Sequence, residues 1–143
     1  MKKEKKVREW LFLAEGDLKT AEDELAMSEP FTNTICFHSQ QCVEKYLKAY
    51  LTFIEKPFRK THDIAELIEL CKENDKEFDK LYNLNTTKLT RYAIEARYPD
   101  EFYIPSIEEA KESVEIAKKV KSFVIEKLKK AGFHEGWEIS YFK

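Results

Sequence analysis

His38 and Cys42 stand four apart in the run Cys36-Phe37-His38-Ser39-Gln40-Gln41-Cys42. On a helix that spacing puts two side chains on one face, where they could share a metal ion. No third or fourth ligand at a recognisable spacing accompanies them, so a structural histidine is favoured and no metal is expected. A second candidate is Arg59-Lys60-Thr61-His62. At the start of a helix, free backbone N–H groups and the helix dipole add to such side-chain charges and suit an anion. The competing reading is a solvated connector with Thr61 as the helix cap. A third is Arg97-Tyr98-Pro99-Asp100, where a guanidinium held by an aromatic ring and a carboxylate either fastens a loop or binds phosphate. Arg91 and Glu95 are spaced to bridge each other. Lys45 and Lys48 come after His38 on the same predicted helix. There is no Gly-rich phosphate loop, no G-x-S-x-G and no HExxH, so the usual nucleotide-loop and hydrolase chemistries have no support.

These residues sit in a chain of 143, enough for one domain with a true core and too short for two. Its composition is 43% hydrophobic and 36% charged with only three Gly and four Pro, which points away from disorder and from turn-rich β folds. The formal net charge of −2 supplies no global field for nucleic acid or an anionic membrane, so any polyanion site has to be local. Cys36, Cys42 and Cys71 have no CxxC spacing and lie among apolar neighbours, as small core residues of a reducing compartment do. The first six residues are basic, but the segment after them is amphipathic and interrupted by Arg8, Glu9, Glu15 and Asp17. Nor does any apolar run reach the ~18 to 20 residues of a membrane span. A soluble, cytoplasmic protein is expected.

Hydrophobic periodicity predicts an all-α, up-and-down antiparallel bundle of four long or medium helices plus a short one. It occupies about residues 1 to 131, with an aromatic tail over about 132 to 143. The first helix, about residues 5 to 27, carries the stripe Val7, Leu11, Ala14, Leu18, Ala21 and Leu25. The second, about 33 to 56 with Thr32 or Asn33 as cap, has an apolar arc well over half its circumference. An arc so wide needs more than one covering neighbour, from its own bundle or from a second subunit. Gln41, Glu44, Lys45, Lys48, Thr52 and Glu55 form its narrow polar strip, with His38 on the border. Gln40 projects into the apolar arc, and a buried amide there costs about 1–3 kcal/mol unless it finds partners. A short third helix starts after Thr61. The spacing predicts a fourth over about 75 to 97, with a bend at Asn85-Thr86-Thr87. Ser106 and Glu109 form a capping box for the last helix, and Gly132 stops it. Trp137, Ile139, Tyr141 and Phe142 make the tail too apolar for an idle terminus, and packing on this chain or on a partner is expected.

The run from Cys36 to Ala49, Lys60-Thr61-His62-Asp63-Ile64 and Glu95-Ala96-Arg97-Tyr98-Pro99-Asp100, in that order, resemble three signatures of the HEPN family, the higher eukaryote and prokaryote nucleotide-binding domains. The resemblance spans about residues 5 to 130. It implies a compact helical bundle, commonly a homodimer, often encoded beside a small nucleotidyltransferase in a toxin–antitoxin-like pair. The family also contains metal-independent ribonucleases, which carry an Arg with a His four to six residues later at the fourth helix or its exit. Here the histidines are His38, His62 and His134, Arg59 is three residues before His62, and neither Arg91 nor Arg97 has a histidine close downstream. The ribonuclease motif is absent. The expectation is therefore a noncatalytic, dimeric domain that binds a nucleotide such as ATP or GTP, associates with a nucleotidyltransferase, or both. Its candidate residues are Gln41, Lys45 and Lys48 on the second helix, Arg59 and His62 at the third, and Arg97, Tyr98 and Asp100 beyond the fourth. Lysine and arginine would neutralise phosphates, and Tyr98 would stack on a base. The alternatives are RNA binding or cleavage by a nonstandard Arg/His set, and a pure protein-assembly module.

Overall fold

The computed structural model describes residues 2–95 and 102–134, with the backbone alone at 94 and 95. Every described element is helical: α1 (Lys2–Leu25), α2 (Thr32–Phe53), α3 (Ile64–Asn74), two 3₁₀ segments (Lys76–Leu84 and Thr86–Arg91), α4 (Tyr92–Glu95) and α5 (Ile107–Lys130). Arg97, Tyr98, Asp100 and the aromatic tail from 135 onward lie outside the described residues.

The α1 stripe of Val7, Leu11, Ala14, Leu18 and Ala21 is buried against α2. The pairings fix the sense of that contact. Lys3 meets Glu55, Lys48 meets the Trp10 ring, and Lys45 meets Asp17, so the two helices run antiparallel. On a neighbouring side of α2, Ser113 meets Cys36 and Phe133 meets Phe53, so α5 runs parallel to α2. The segment from Lys76 to Glu95 returns between them, with Phe78 on Tyr50 and Phe123, and Lys88 on Glu112. These four bodies alternate in direction, as the periodicity predicts. The additional piece is α3. Glu55, in the left-handed region at φ 57, turns the chain after α2, and the Lys56 N–H closes on the Leu51 carbonyl at 2.9 Å. The connector then climbs back along α2 until His62 reaches Glu44. From there α3 descends a second time, past Leu47 at Cys71 and Tyr50 at Asn74.

Three local expectations change. Neither Thr32 nor Asn33 caps α2: its N-cap is Phe31, without a side-chain cap, and the Thr32 hydroxyl donates to the Pro105 carbonyl at 2.7 Å. Thr61 does not cap α3 either. Asp63 does so, accepting from the N–H groups of Ala65 and Glu66. The body between α3 and α4 is 3₁₀ rather than α-helical, and it breaks where a bend was expected, at Asn85 with φ 61. Its buried side chains explain the tighter winding. Phe78 and Leu81, then Thr86, Leu89 and Tyr92, recur every three residues, the period of a 3₁₀ turn. The Ser106–Glu109 capping box and the left-handed Gly132 after α5 are as expected.

The wide apolar arc of α2 is covered wholly by this chain. Its Ile35, Cys36, Cys42, Val43, Tyr46, Leu47 and Leu51 are fully buried among α1, α3, α5 and the 3₁₀ segments. Cover for that part of the arc therefore comes from within the bundle, one of the two sources its width required. Large exposed apolar side chains lie elsewhere, at Leu13, Met27, Phe31, Phe102 and Ile104.

Candidate functional site

Much of the polar strip of α2 does not face solvent. Glu44 is 3% exposed and Lys48 7%. The cause is the reversed connector, which lays Phe58 beside Trp10 of α1, ring centroids 6.3 Å apart. The Lys48 ammonium lies 5.6 Å from the Trp10 ring centre and 5.9 Å from that of Phe58, within the reach of cation–π attraction. A charge so enclosed requires a counter-charge. Glu44 supplies it: Lys48 Nζ donates to Glu44 Oε1 at 2.7 Å.

The second oxygen of Glu44 collects the remaining donors. Gln40 Nε2 donates to Oε2 at 2.8 Å, and His62 Nδ1 lies 2.9 Å from it. Gln41 Nε2 in turn donates to Gln40 Oε1 at 2.7 Å, so the fully buried Gln40 amide has both a donor and an acceptor partner. Burial alone would raise the Glu44 carboxyl, but the bonds from Lys48, His62 and Gln40 outweigh it and hold it below the ordinary glutamate range. An ionised Glu44 assigns the Nδ1 proton of His62 and leaves Nε2 on the ring's outer edge. The His62 side chain is 50% exposed.

A parallel cluster lies on the α1 side of the same strip. Asp17, nearly buried, accepts from Lys45 Nζ at 2.6 Å through one oxygen and from His38 Nδ1 at 2.8 Å through the other. On the other flank of the α1 stripe, Glu15 accepts from the Tyr46 hydroxyl and from Lys121 of α5, each at 2.8 Å. The strip thus carries two carboxylate–lysine–histidine sets with Gln41 between them.

The structure brings four of the candidate binding residues, Gln41, Lys45, Lys48 and His62, onto this face together with the structural Gln40 and His38. Arg59 lies apart from Glu44, its guanidinium forked onto Glu66 of α3 at 2.8 and 2.6 Å. The N–H groups that open α3 do not form an anion cradle. Those of Ala65 and Glu66 bond Asp63, and that of Ile64 donates to the Thr90 hydroxyl at 3.1 Å. Lys60 is exposed and has no partner among the described residues. Among those residues no group of three His, Cys, Asp or Glu converges as a metal site requires. At the end of the second 3₁₀ segment, just before α4, the Arg91 guanidinium lies over the Tyr103 ring, 4.7 Å from its centre. Sequence reasoning missed Asp17, Trp10 and Phe58. The available signal was that Trp10 and Asp17, seven apart, share one flank of the α1 stripe.

A family model for the HEPN domain matches residues 7–128. The chain belongs to the HEPN family. A search of solved structures agrees: the crystal structure of an archaeal HEPN homologue superposes with a TM-score of 0.67 at 25% identity, covering 85% of this chain and 97% of that one. No curated protein matches. All the elements that form the α2 polar face fall inside the HEPN match. No described helix of this HEPN domain is long and apolar enough to cross a membrane.

Proposed function

We propose that this HEPN domain is noncatalytic and binds a nucleotide on the α2 polar face, with the phosphates at His62. The observation that carries this reading is the Glu44–His62 contact at 2.9 Å. It fixes one ring nitrogen against Glu44 and leaves the other on the exposed side of the ring, two residues from the exposed Lys60 and on the face that carries Lys45 and Lys48. With the Nδ1 proton given to Glu44, Nε2 carries a proton only in the charged ring, and that imidazolium N–H is a directed donor to a phosphate oxygen. A homodimer and a separately encoded small nucleotidyltransferase are the protein partners this reading expects. Because α2 is already covered, either partner meets the chain on another surface, such as that around Phe31, Phe102 and Ile104.

Calorimetric titration tests the binding. ATP or GTP releases or absorbs heat with the wild type, and His62→Ala weakens the interaction about tenfold or more, the loss of a hydrogen bond to a charged group. No heat with either nucleotide removes the proposal. One observation favours a second reading: a carboxylate-held imidazole is also the arrangement of a general base. Incubation with total RNA separates the two. The noncatalytic reading expects intact RNA, whereas cleavage that disappears in His62→Ala replaces it with a nonstandard ribonuclease.

A further inference from the structure

A groove of about 190 Å³ runs along the outside of α1, lined by Lys6, Glu9, Trp10 and Leu13. Two large apolar side chains border it without being buried. Leu13 is 49% exposed, and Trp10 is partly exposed although it packs on Phe58. Neither belongs to the α1 core stripe. Both lie on the flank of that stripe that carries Asp17, the flank turned toward the α2 polar strip. The groove therefore sets two apolar side chains beside the face that carries Lys45 and Lys48, each paired with a carboxylate. It is smaller than the ~300–1,000 Å³ of pockets that enclose a drug-sized ligand, so it suits one planar ring system with the rest of the molecule outside.

The distance to the proposed phosphate end is short in chemical terms. Lys48 sits over the Trp10 ring and donates to Glu44, and Glu44 holds His62. One lysine and one carboxylate separate an indole face from the outward edge of an imidazole. Lys6 and Glu9, one turn apart on the rim, supply a donor and an acceptor for the edge of a heterocycle.

We infer that Trp10 is the platform on which the base of the bound nucleotide stacks, with Leu13 beneath it and Glu9 accepting from a base N–H. This assignment rests on the nucleotide reading given above, and it extends the ligand from His62 along the Lys48 side to α1. It also explains why a tryptophan is kept partly in water at this position, since every nucleobase offers a π-face to an indole.

Tryptophan fluorescence tests it on the full-length Trp137→Phe protein, in which Trp10 is the remaining indole. ATP and GTP should quench that fluorescence saturably over the same concentrations that produce calorimetric heat. Inorganic tripolyphosphate, which has no base, should leave it unchanged. Trp10→Ala should weaken nucleotide binding about tenfold, and Trp10→Phe should restore most of it. Heat without quenching, or a Trp10→Ala protein that binds as tightly as wild type, overturns the Trp10 assignment and leaves the His62 site standing. Quenching by tripolyphosphate equal to that by ATP also overturns it, because phosphate alone would then account for the signal. No heat from the wild type defeats the nucleotide reading and this inference together. If Trp10→Ala fails to fold, quenching in Trp137→Phe decides the matter alone.

Discussion

Glu44→Ala lowers the free energy of unfolding by about 3–5 kcal/mol, the cost of leaving a buried charge without its partner. For a domain whose total stability is about 5–15 kcal/mol, this is among the largest losses any single substitution should cause. The reasoning is local. Lys48 is enclosed by Trp10 and Phe58 and has Glu44 as its counter-ion, while the buried Gln40 amide and the His62 ring end on the same carboxylate. Removing the carboxylate strands all three. Replacing both charged partners, Glu44→Leu with Lys48→Met, should recover much of the loss, because an apolar pair of similar volume needs no counter-ion. Chemical denaturation of the two variants measures the difference. The same carboxylate also contributes to acid sensitivity. Its pKa is lower folded than unfolded, so its stabilisation is complete above the unfolded value of about 4.3. It disappears as the pH falls through the lower folded value. Glu44→Gln should lack that component, giving a shallower loss of stability below about pH 4 than the wild type.

Asp17→Asn should make the protein less stable and the nucleotide tighter. Asp17 is nearly buried and accepts from Lys45 at 2.6 Å and from His38 at 2.8 Å. Hydrogen bonds to a charged group contribute about 1.5–3 kcal/mol each, and an amide of the same shape retains only part of that. A drop of about 2 kcal/mol in unfolding free energy is the expected result. Binding moves the other way. The Asp17 charge neutralises Lys45 on the face that the phosphates would occupy, and without it the ammonium is free to pair with the ligand. Charges a few ångströms apart near a protein surface interact by up to about 4 kcal/mol. Even a modest share of this, about 1 kcal/mol, is roughly a fivefold gain in affinity. Calorimetry and a denaturant melt on the same variant check both signs. A purely structural Asp17 would show the stability loss with no tightening.

Regular periodicity makes the frame legible in the sequence. The α1 stripe, the breadth of α2, the capping box at Ser106 and the stop at Gly132 are each written within one helix turn or one helix length. The 3₁₀ winding of 76–91 is not legible in the same way. Phe78, Leu81, Leu89 and Tyr92 fit both three and three and a half residues per turn over so short a run, and the left-handed Asn85 resets the phase between them. The site is half legible. Residue type marks Gln40, Lys45, Lys48 and His62, and helical projection places the first three. What hides the rest is distance along the chain. Glu44 is 18 residues from His62, and Asp17 is 28 from Lys45. Local patterns say nothing of such pairings, nor of a connector that doubles back to place Phe58 over Lys48. That fold-back encloses the Glu44–Lys48 part of the polar strip.

The three histidines occupy three separate places, so their ring nitrogens report where a ligand sits. A long-range ¹⁵N–¹H spectrum of the imidazoles, recorded on the full chain as ATP or GTP is added, tests the central claim most directly. The Nε2 signal of His62 should move and saturate, His38 should show a smaller shift through Gln41 and Lys45, and His134 should stay where it is. Saturating binding that moves His134 alone, or a nucleotide titration that moves no imidazole signal, would contradict a site on the α2 polar face.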